Sequence, residues 1–484
     1  LTEGVVPSAA RRMLILGICC MSLLLVSMDG SIVNVALPSI GRDLHASVSG
    51  LQWTVDAYSL VVASLLIMSG STGDRLGRRR TFQAGLVIFT LGSLLCSIAP
   101  GLGWLVVFRM VQAIGGSMLN PVAMSVITNV FTEQRERARA IGIWGAVVGV
   151  GLGLGPVVGG LLTQAVGWRA IFWINVPIGV AAVILAAIFV PESKAVRARR
   201  IDPLGQVLVF VVLATVTYAI IEAPALGWGS WKVAALFAAG AAALAGLLIY
   251  EPRRVDPLVD IRLFQSRPFS GATVMAVCSS AVFTGYLFLN ALYLQDVRGL
   301  SALHAGLALL PMALMTLIAA PLSGRIVGTH GARLPLLLAG TCLTAGVLLL
   351  TALRVDTSFG WLLLSYSLVG AGFGLGNPPI TNTAVSGLPR SQAGVAAAFA
   401  STSRQVGAAL GVAVVGSVVN SGHGFSSATL TPDSHLAYWI LVGFAALMLT
   451  VAAFTTTARA RSSAARTAEL LADPPLVSAS GPPS

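Results

Sequence analysis

Apolar residues run along this chain in long stretches, separated by short joints rich in arginine, glycine and proline. An α-helix rises 1.5 Å per residue, so about 20 mainly apolar residues are needed to cross the hydrocarbon core of a bilayer. Fourteen stretches come near that length, at roughly 13–37, 50–70, 81–99, 104–127, 140–164, 170–190, 204–222, 232–250, 269–294, 303–323, 335–353, 359–385, 394–420 and 436–456. The pattern predicts an all-α membrane protein with 14 transmembrane helices. The first stretch is too long for the apolar region of a secretory signal and lacks a clear cleavage site, so it reads as a retained first span. From Thr457 the chain turns polar and ends ADPPLVSASGPPS, a composition that predicts a disordered tail.

The stretches fall into groups. GSMLNPVAMSVITNVFTEQRERARA, from Gly116, aligns with GLGNPPITNTAVSGLPRSQAGVAAA after a shift of about 257 residues, bringing Asn120-Pro121 onto Asn377-Pro378. SIVNVALP in the first span echoes LFLNALYL in the ninth, with Asn34 near Asn290. Spans 1–6 and 9–14 therefore read as two related six-helix bundles, with spans 7 and 8 as an inserted helix pair. The expected organisation is a cytoplasmic N-terminus over 1–12, an N-terminal bundle over 13–190, the inserted pair with its cytoplasmic loops over 191–268, a C-terminal bundle over 269–456 and a disordered cytoplasmic tail over 457–484. Two parallel halves suit a transporter with a central pathway between them.

Composition agrees with a membrane protein. Of 484 residues, 56% are hydrophobic and 10% charged, where a soluble protein carries about a quarter charged. The net charge of +12 would suggest nucleic acid as a partner in a soluble protein, but no basic stretch is interleaved with aromatics for stacking on bases. With the N-terminus placed inside, inner segments hold about 23 Lys and Arg, among them Arg75, Arg78, Arg79, Arg80, Arg197, Arg199, Arg200, Arg253 and Arg254. Outer loops hold about 5: Arg42, Arg169, Lys232, Arg298 and Arg354. That asymmetry predicts both termini in the cytoplasm of a cell bounded by its inner membrane. Arginine far outnumbers lysine, which is present only as Lys194 and Lys232; with abundant Ala and Gly this points to a high-GC bacterium such as an actinobacterium. The five cysteines, Cys19, Cys20, Cys96, Cys278 and Cys342, all lie in apolar runs and read as small packed residues.

Five ionisable residues lie clearly within spans: Asp29, Asp56, Arg109, Glu222 and Arg404. Each is expensive in hydrocarbon and should face protein or water. By helical rise, Asp29, Asp56 and Arg109 sit about 12, 9 and 8 Å from the outer ends of their spans, a similar depth in the first bundle. Burial favours a neutral carboxyl and a nearby guanidinium favours the carboxylate, so substrate or opening can tip the balance. Asp29 and Arg109 read either as proton-handling groups or as a buried pair that fixes helix register. Asp56 reads as a third proton-linked group or as a residue facing the outer vestibule. Glu222, near the end of its span, reads as interfacial. Arg404, near mid-membrane in span 13, reads as a substrate contact or as a donor to neighbouring carbonyls.

Two glycine-rich segments stand out. GSTGDRLGRRR, from Gly70 to Arg80, spaces Gly73, Asp74, Gly77 and Arg78 between spans 2 and 3. The glycines permit a tight turn, Asp74 can accept from a helix N-terminus, and Arg78 can bridge to acids, so the loop reads as a conformational latch. Span 5 carries GVGLGLGPVVGG, including Gly151, Gly155, Pro156 and Gly159, which predicts close helix packing and a bend. No strand precedes it, which argues against a nucleotide site. There is no Walker A sequence, no GxSxG elbow, no paired cysteine, and the five histidines lack metal-ligand spacing. No enzyme activity, metal or cofactor is expected.

These segments resemble a known family. MDGSIVNVALPSI (Met28 to Ile40), SGSTGDRLGRRR, FRMVQAIGGS (Phe108 to Ser117), GLGLGPVVGG and WRAIFWINVPIG (Trp168 to Gly179) are similar to motifs of the major facilitator superfamily, in particular its fourteen-span drug:proton antiporter branch. The resemblance covers the chain from about Arg11 to Thr457. It implies a major facilitator fold, export of small hydrophobic or amphiphilic molecules driven by the proton motive force, and a monomer. It further implies that Asp29 is a proton-linked acid, that Arg109 supports it, that Asp74 and Arg78 gate the inner side, and that Gly155 and Pro156 shape the antiporter helix. Asn34, Gln112, Asn290, Asn377 and Arg404 are expected to line the substrate cavity. Two departures are visible: span 13 has Arg404 and Gln405 where some relatives carry acids, and the second-half loop SGRIVGTHGAR lacks the aspartate. The other readings are a proton-coupled importer of a small nutrient and a non-transporting membrane sensor of the same fold.

Overall fold

A computed structural model of the chain describes residues 8–194, 202–254, 260–388, 390–420 and 427–471. The α-helices are α1 (Ala9–Leu44), α2 (Val48–Leu76), α3 (Arg78–Ser97), α4 (Leu102–Val130), α5 (Gln134–Ala165), α6 (Ala170–Trp173), α7 (Asn175–Phe189), α8 (Pro203–Leu226), α9 (Trp231–Tyr250), α10 (Arg267–Leu292), α11 (Ala302–Ala308), α12 (Leu310–His330), α13 (Arg333–Leu348), α14 (Phe359–Val385), α15 (Arg390–Asn420), α16 (Ser427–Thr455) and α17 (Ala458–Leu471). Their starts follow local chemistry. Ser47, Ser230 and Ser266 accept from backbone N–H groups at the starts of α2, α9 and α10, and Asp202 does so before Pro203 of α8. Within the spans, hydroxyls return to the carbonyl one turn earlier: Ser64 to Leu60, Thr90 to Leu86 and Thr316 to Met312. This meets the donors of these three hydroxyls in an environment without water.

Among the described residues, twelve helices are long and apolar enough to cross a membrane, or thirteen when the bent α2 is taken as one span. The expected count of 14 is not reached on this criterion. The expected span at 335–353 is the 16-residue helix α13, which gives way to turns after Leu348. The outer surface is that of a membrane protein: Val87, Leu91, Ile184, Ile188, Leu248, Ile318, Leu322 and Leu447 are all exposed. Exposed tryptophans Trp104, Trp173, Trp228, Trp231 and Trp361 all lie at or beside helix ends that the charge asymmetry assigns to one side, as an interfacial aromatic belt would.

Helix packing repeats between the halves. In the first, α1 packs on α4, α5 and α7, α4 on α2 and α3, and α3 on α7. In the second, α10 packs on α14, α15 and α16, α14 on α12 and α13, and α13 on α16. The halves meet along two seams, α2 against α15 and α5 against α11 and α12. The α8–α9 pair leans on the first seam through α8, which touches both α2 and α15. There the Trp53 indole donates to Glu222 at 2.9 Å and its ring lies tilted 5.6 Å from that of Tyr218, so Glu222 is held by α2.

The tail departs from expectation. Residues 458–471, expected to be disordered, form α17; residues 472–484 and 1–7 lie outside the described residues, as do Arg197, Arg199 and Arg200. The helix forms because Ala460, Ser463, Ala464 and Thr467 recur at helical spacing and are buried, with Ser463 accepting from the Arg267 backbone N–H at the start of α10.

Candidate functional site

Asp29 lies in the middle of α1 and is fully buried. One carboxylate oxygen, Oδ2, accepts from Arg109 of α4 at 2.5 Å. The other, Oδ1, accepts from the Gln112 amide at 2.9 Å and the Asn175 amide at 3.1 Å. Gln112 and Asn175 also donate to Ser93 Oγ of α3, at 2.7 and 3.0 Å. The Arg109 guanidinium donates further to Gln112 Oε1 at 2.7 Å and to the Thr54 carbonyl of α2 at 3.2 Å. It lies 4.3 Å from the centre of the Tyr58 ring and 5.8 Å from that of Phe172. Six helices, α1 to α4, α6 and α7, thus converge on one ion pair. An arginine 1% exposed is tolerable at this depth only with its charge matched and its donors used.

The glycines of α5 stand directly behind this pair. A Cβ on Gly151 would lie 2.7 Å from Ser27 Cβ, on Gly155 3.0 Å from the Ile32 backbone nitrogen, and on Gly159 2.9 Å from the Ile32 carbonyl oxygen. Spaced four apart, they form one stripe against Ser27 to Ile32 of α1, the turns that carry Asp29. The opposite stripe faces the second half: a Cβ on Gly153 would lie 2.9 Å from Ala313 of α12 and one on Gly160 2.4 Å from the Ala302 carbonyl oxygen, while Gly306 of α11 approaches the Pro156 carbonyl. Helix α5 is thereby sandwiched without intervening side chains between the ionic cluster and the second half.

Asp56 is not part of the cluster. Thr54 and Tyr58 face Arg109, while Gln52 reaches the Val412 and Ala413 carbonyls of α15 at 3.2 and 2.8 Å. Asp56, one turn beyond Gln52, is buried, and neither of its oxygens has a hydrogen-bond partner among the described residues. It marks the α2–α15 seam, and shares with Asp29 a helix bundle but no contact.

The joint between α2 and α3 is bridged by its own residues. Arg78 donates to Asp74 at 2.9 and 3.2 Å. The acid at the N-terminus of α3 is Glu192, beyond α7, which accepts from the Arg79 backbone N–H at 3.2 Å and lies 3.7 Å from Arg80. Gly77 has φ of +116°, and a Cβ there would meet Glu192 Oε1 at 2.5 Å, so this position requires glycine on two grounds. Gly73 lets α2 approach Val122 of α4, whose Cγ2 a Cβ would meet at 3.0 Å.

Of the residues expected at a substrate cavity, Gln112 belongs to the ionic cluster. Asn34 is buried and donates to the Gly30 carbonyl of its own helix. Asn290 is buried in the second half, where it accepts from the Tyr366 hydroxyl at 2.9 Å. Asn377 and Arg404 alone of the five retain exposed surface.

The sequence profile of the Major Facilitator Superfamily matches residues 19–412. The chain belongs to the Major Facilitator Superfamily. Among relatives, the multidrug resistance protein Stp of Mycobacterium tuberculosis is 37% identical over 414 residues, covering 85% of this chain and 76% of that protein. The tetracenomycin C resistance and export protein of Streptomyces glaucescens is 37% identical over 400 residues, covering 82% and 74%. The methylenomycin A resistance protein of Streptomyces coelicolor is 33% identical over 424 residues, covering 86% and 88%. The crystal structure of a POT family transporter in complex with 5-aminolevulinic acid shares the fold, with a TM-score of 0.68 at 14% identity over 91% of this chain and 96% of that one.

In this superfamily member, Asp29 and Arg109 are conspicuous in the sequence; Gln112 was expected at a substrate cavity and not in this cluster, and Ser93, Asn175, Thr54, Tyr58 and Glu192 were not expected. Asn175 stood in plain view inside WRAIFWINVPIG; a polar amide within an apolar run is itself a signal. Thr54 contributes only a backbone carbonyl, which no side-chain pattern could reveal.

Proposed function

We propose that this protein exports small hydrophobic or amphiphilic organic compounds across the cytoplasmic membrane in exchange for protons, with both termini inside. The observation that carries the reading is the buried Asp29–Arg109 pair set against the glycine stripe of α5. Protonating Asp29 removes the charge that holds Arg109, so the six-helix cluster must rearrange. A shift of α1 at Ser27–Ile32 is passed through α5 to α11 and α12, the far side of a seam between the halves. Proton occupancy is thereby linked to which side of the membrane the pathway opens on, as alternating access requires.

In this reading Asp29 takes up and releases the proton, Arg109 stabilises the ionised form, and Gln112, Asn175 and Ser93 position the carboxylate. Asp56, lacking a donor in this state, is a second carboxyl that can accept a proton when the α2–α15 seam parts. The Asp74–Arg78 pair and the Glu192 contacts hold the inner joint of the first half, with Gly73 and Gly77 allowing the close turn. The names of the relatives favour antibiotic-like substrates, and efflux for drug resistance or self-protection.

The test uses everted membrane vesicles energised to an acid interior, with a pH-sensitive dye and puromycin, tetracenomycin C or methylenomycin A as trial substrates. Exchange releases protons when substrate is added, and Asp29→Asn abolishes that release while the protein remains in the membrane. Normal uphill transport by Asp29→Asn would overturn the proton role of Asp29. Substrate accumulation in whole cells that rises as external pH falls would instead identify an importer.

A further inference from the structure

The two halves are chemically unequal. The offset of 257 residues that superposes Asn120 on Asn377 places Tyr286 opposite Asp29 and Tyr366 opposite Arg109. These tyrosines meet edge to face at 5.9 Å, Tyr286 bonds Ser365, and Tyr366 bonds Asn290. The core of the second half is thus closed by neutral groups where the first half uses an ion pair.

Against that neutral background stands Arg404. It occupies the middle of the 31-residue helix α15. Its guanidinium donates to Thr381 Oγ1 of α14 at 3.2 Å and to Ser401 Oγ at 2.8 Å. Among the described residues no carboxylate comes within ion-pair distance of it, in contrast to Arg109. Two hydroxyl oxygens satisfy two of the five donors and compensate none of the charge. The side chain is enclosed by protein yet keeps accessible surface, as do Ser401 one turn before it on its own helix face and Asn377 and Thr381 one turn apart on α14. A solitary guanidinium at this depth is too costly to face lipid. Its remaining donors, in the fork that matches a carboxylate, border the accessible surface that Arg404 shares with Ser401, Asn377 and Thr381.

We propose that Arg404, flanked by Thr381 and Ser401, is a substrate-recognition site for an anionic group, so that the protein favours amphiphiles carrying a carboxylate or comparable acidic function over neutral and cationic ones. This rests on the export reading above and names its substrate class. The division of labour is that the first half holds the proton and the second half, with one unmatched cation, holds the cargo.

Three dansyl probes of similar size separate the classes: dansylglycine (carboxylate), dansylamide (neutral) and dansylcadaverine (cation). Binding to purified protein is read by equilibrium dialysis, and movement is read in energised everted vesicles. The wild-type protein is expected to bind dansylglycine at least about tenfold more tightly than the other two. Arg404→Gln should erase that preference without changing dansylamide binding, and Arg404→Lys should retain part of it. Preference for the cation or the amide, an undiminished preference in Arg404→Gln, or equal loss of all three probes in both variants would overturn the assignment and make Arg404 a structural donor. Selective binding of dansylglycine with no vesicle transport of any probe would leave the site standing and count against export instead.

Discussion

At the scale of single residues, the decisive contrast is between two buried arginines. Arg109 has its charge matched by Asp29 and its donors taken by Gln112 and a backbone carbonyl; Arg404 has hydroxyls alone. Removing one member of a buried ion pair costs about 3–5 kcal/mol because the other is left uncompensated. Asp29→Asn and Arg109→Gln should therefore each lower the thermal unfolding midpoint of the purified protein. The double variant, in which neither charge remains, should recover most of that loss but not proton exchange. Recovery of both stability and exchange would mean that the pair only fixes helix register. Tyr58 offers a finer probe: its ring lies on Arg109, while its hydroxyl is buried with no hydrogen-bond partner among the described residues. Tyr58→Phe keeps the ring and should leave stability within about 1 kcal/mol of wild type by thermal denaturation, since no hydrogen bond is lost.

At the scale of elements, α5 is the part whose sequence is most constrained by its neighbours. Its glycines were legible as a packing helix, but the two stripes, and the turn of α1 that each touches, come from the register of α1 against α5. A methyl group at Gly155 would collide with Ser31 and the Ile32 backbone, and overpacking of this kind costs about 1–3 kcal/mol. Gly155→Ala should slow substrate-driven proton release by an order of magnitude or more while Gly103→Ala, at an open site on α4, changes nothing. Equal rates for the two would separate α5 from the coupling route. The joint between α2 and α3 is constrained in the same way by Gly77. A side chain there is strained by about 1–3 kcal/mol and displaces Glu192. Gly77→Ala and Asp74→Ala should slow turnover in vesicles yet leave equilibrium binding of substrate intact. Loss of binding at normal expression would remove the joint from gating.

At the scale of the whole molecule, the halves are tied at the end that the charge asymmetry places outside. Arg42 of α1 pairs with Asp296, after α10, at 3.3 Å, and Gln295 donates to the Val35 carbonyl at 2.8 Å. Gln52 and Gly160 make their cross-half approaches towards the same side. If alternating access is rocking of one half on the other, these contacts must part once per cycle. A cysteine pair at Arg42 and Asp296 should cross-link with a short bifunctional maleimide and stop efflux, reversibly when the linker is cleavable. Undiminished efflux by the cross-linked protein would place the moving seam elsewhere.

The membrane class, the repeat and the family are legible in the sequence, as are the isolated charges at Asp29 and Arg109, because each is written as a one-dimensional pattern. Apolar length marks spans, a long-range offset marks the repeat, and charge inside an apolar run is conspicuous. The count of fourteen is not reached by length alone because α13 stops short of its apolar stretch, and residues 458–471, expected to be disordered, are helical with their small-residue face packed on α10. Which buried groups meet is set by packing between helices. Asp29 and Asp56 look alike in the sequence, yet Asp29 is enclosed by donors from α4 and α7 and Asp56 by none. Likewise, Arg109 and Arg404 differ only in what neighbouring helices bring beside them. The worth of a charge in a membrane is set by its partners, and partners are a property of packing across helices, which no local pattern contains.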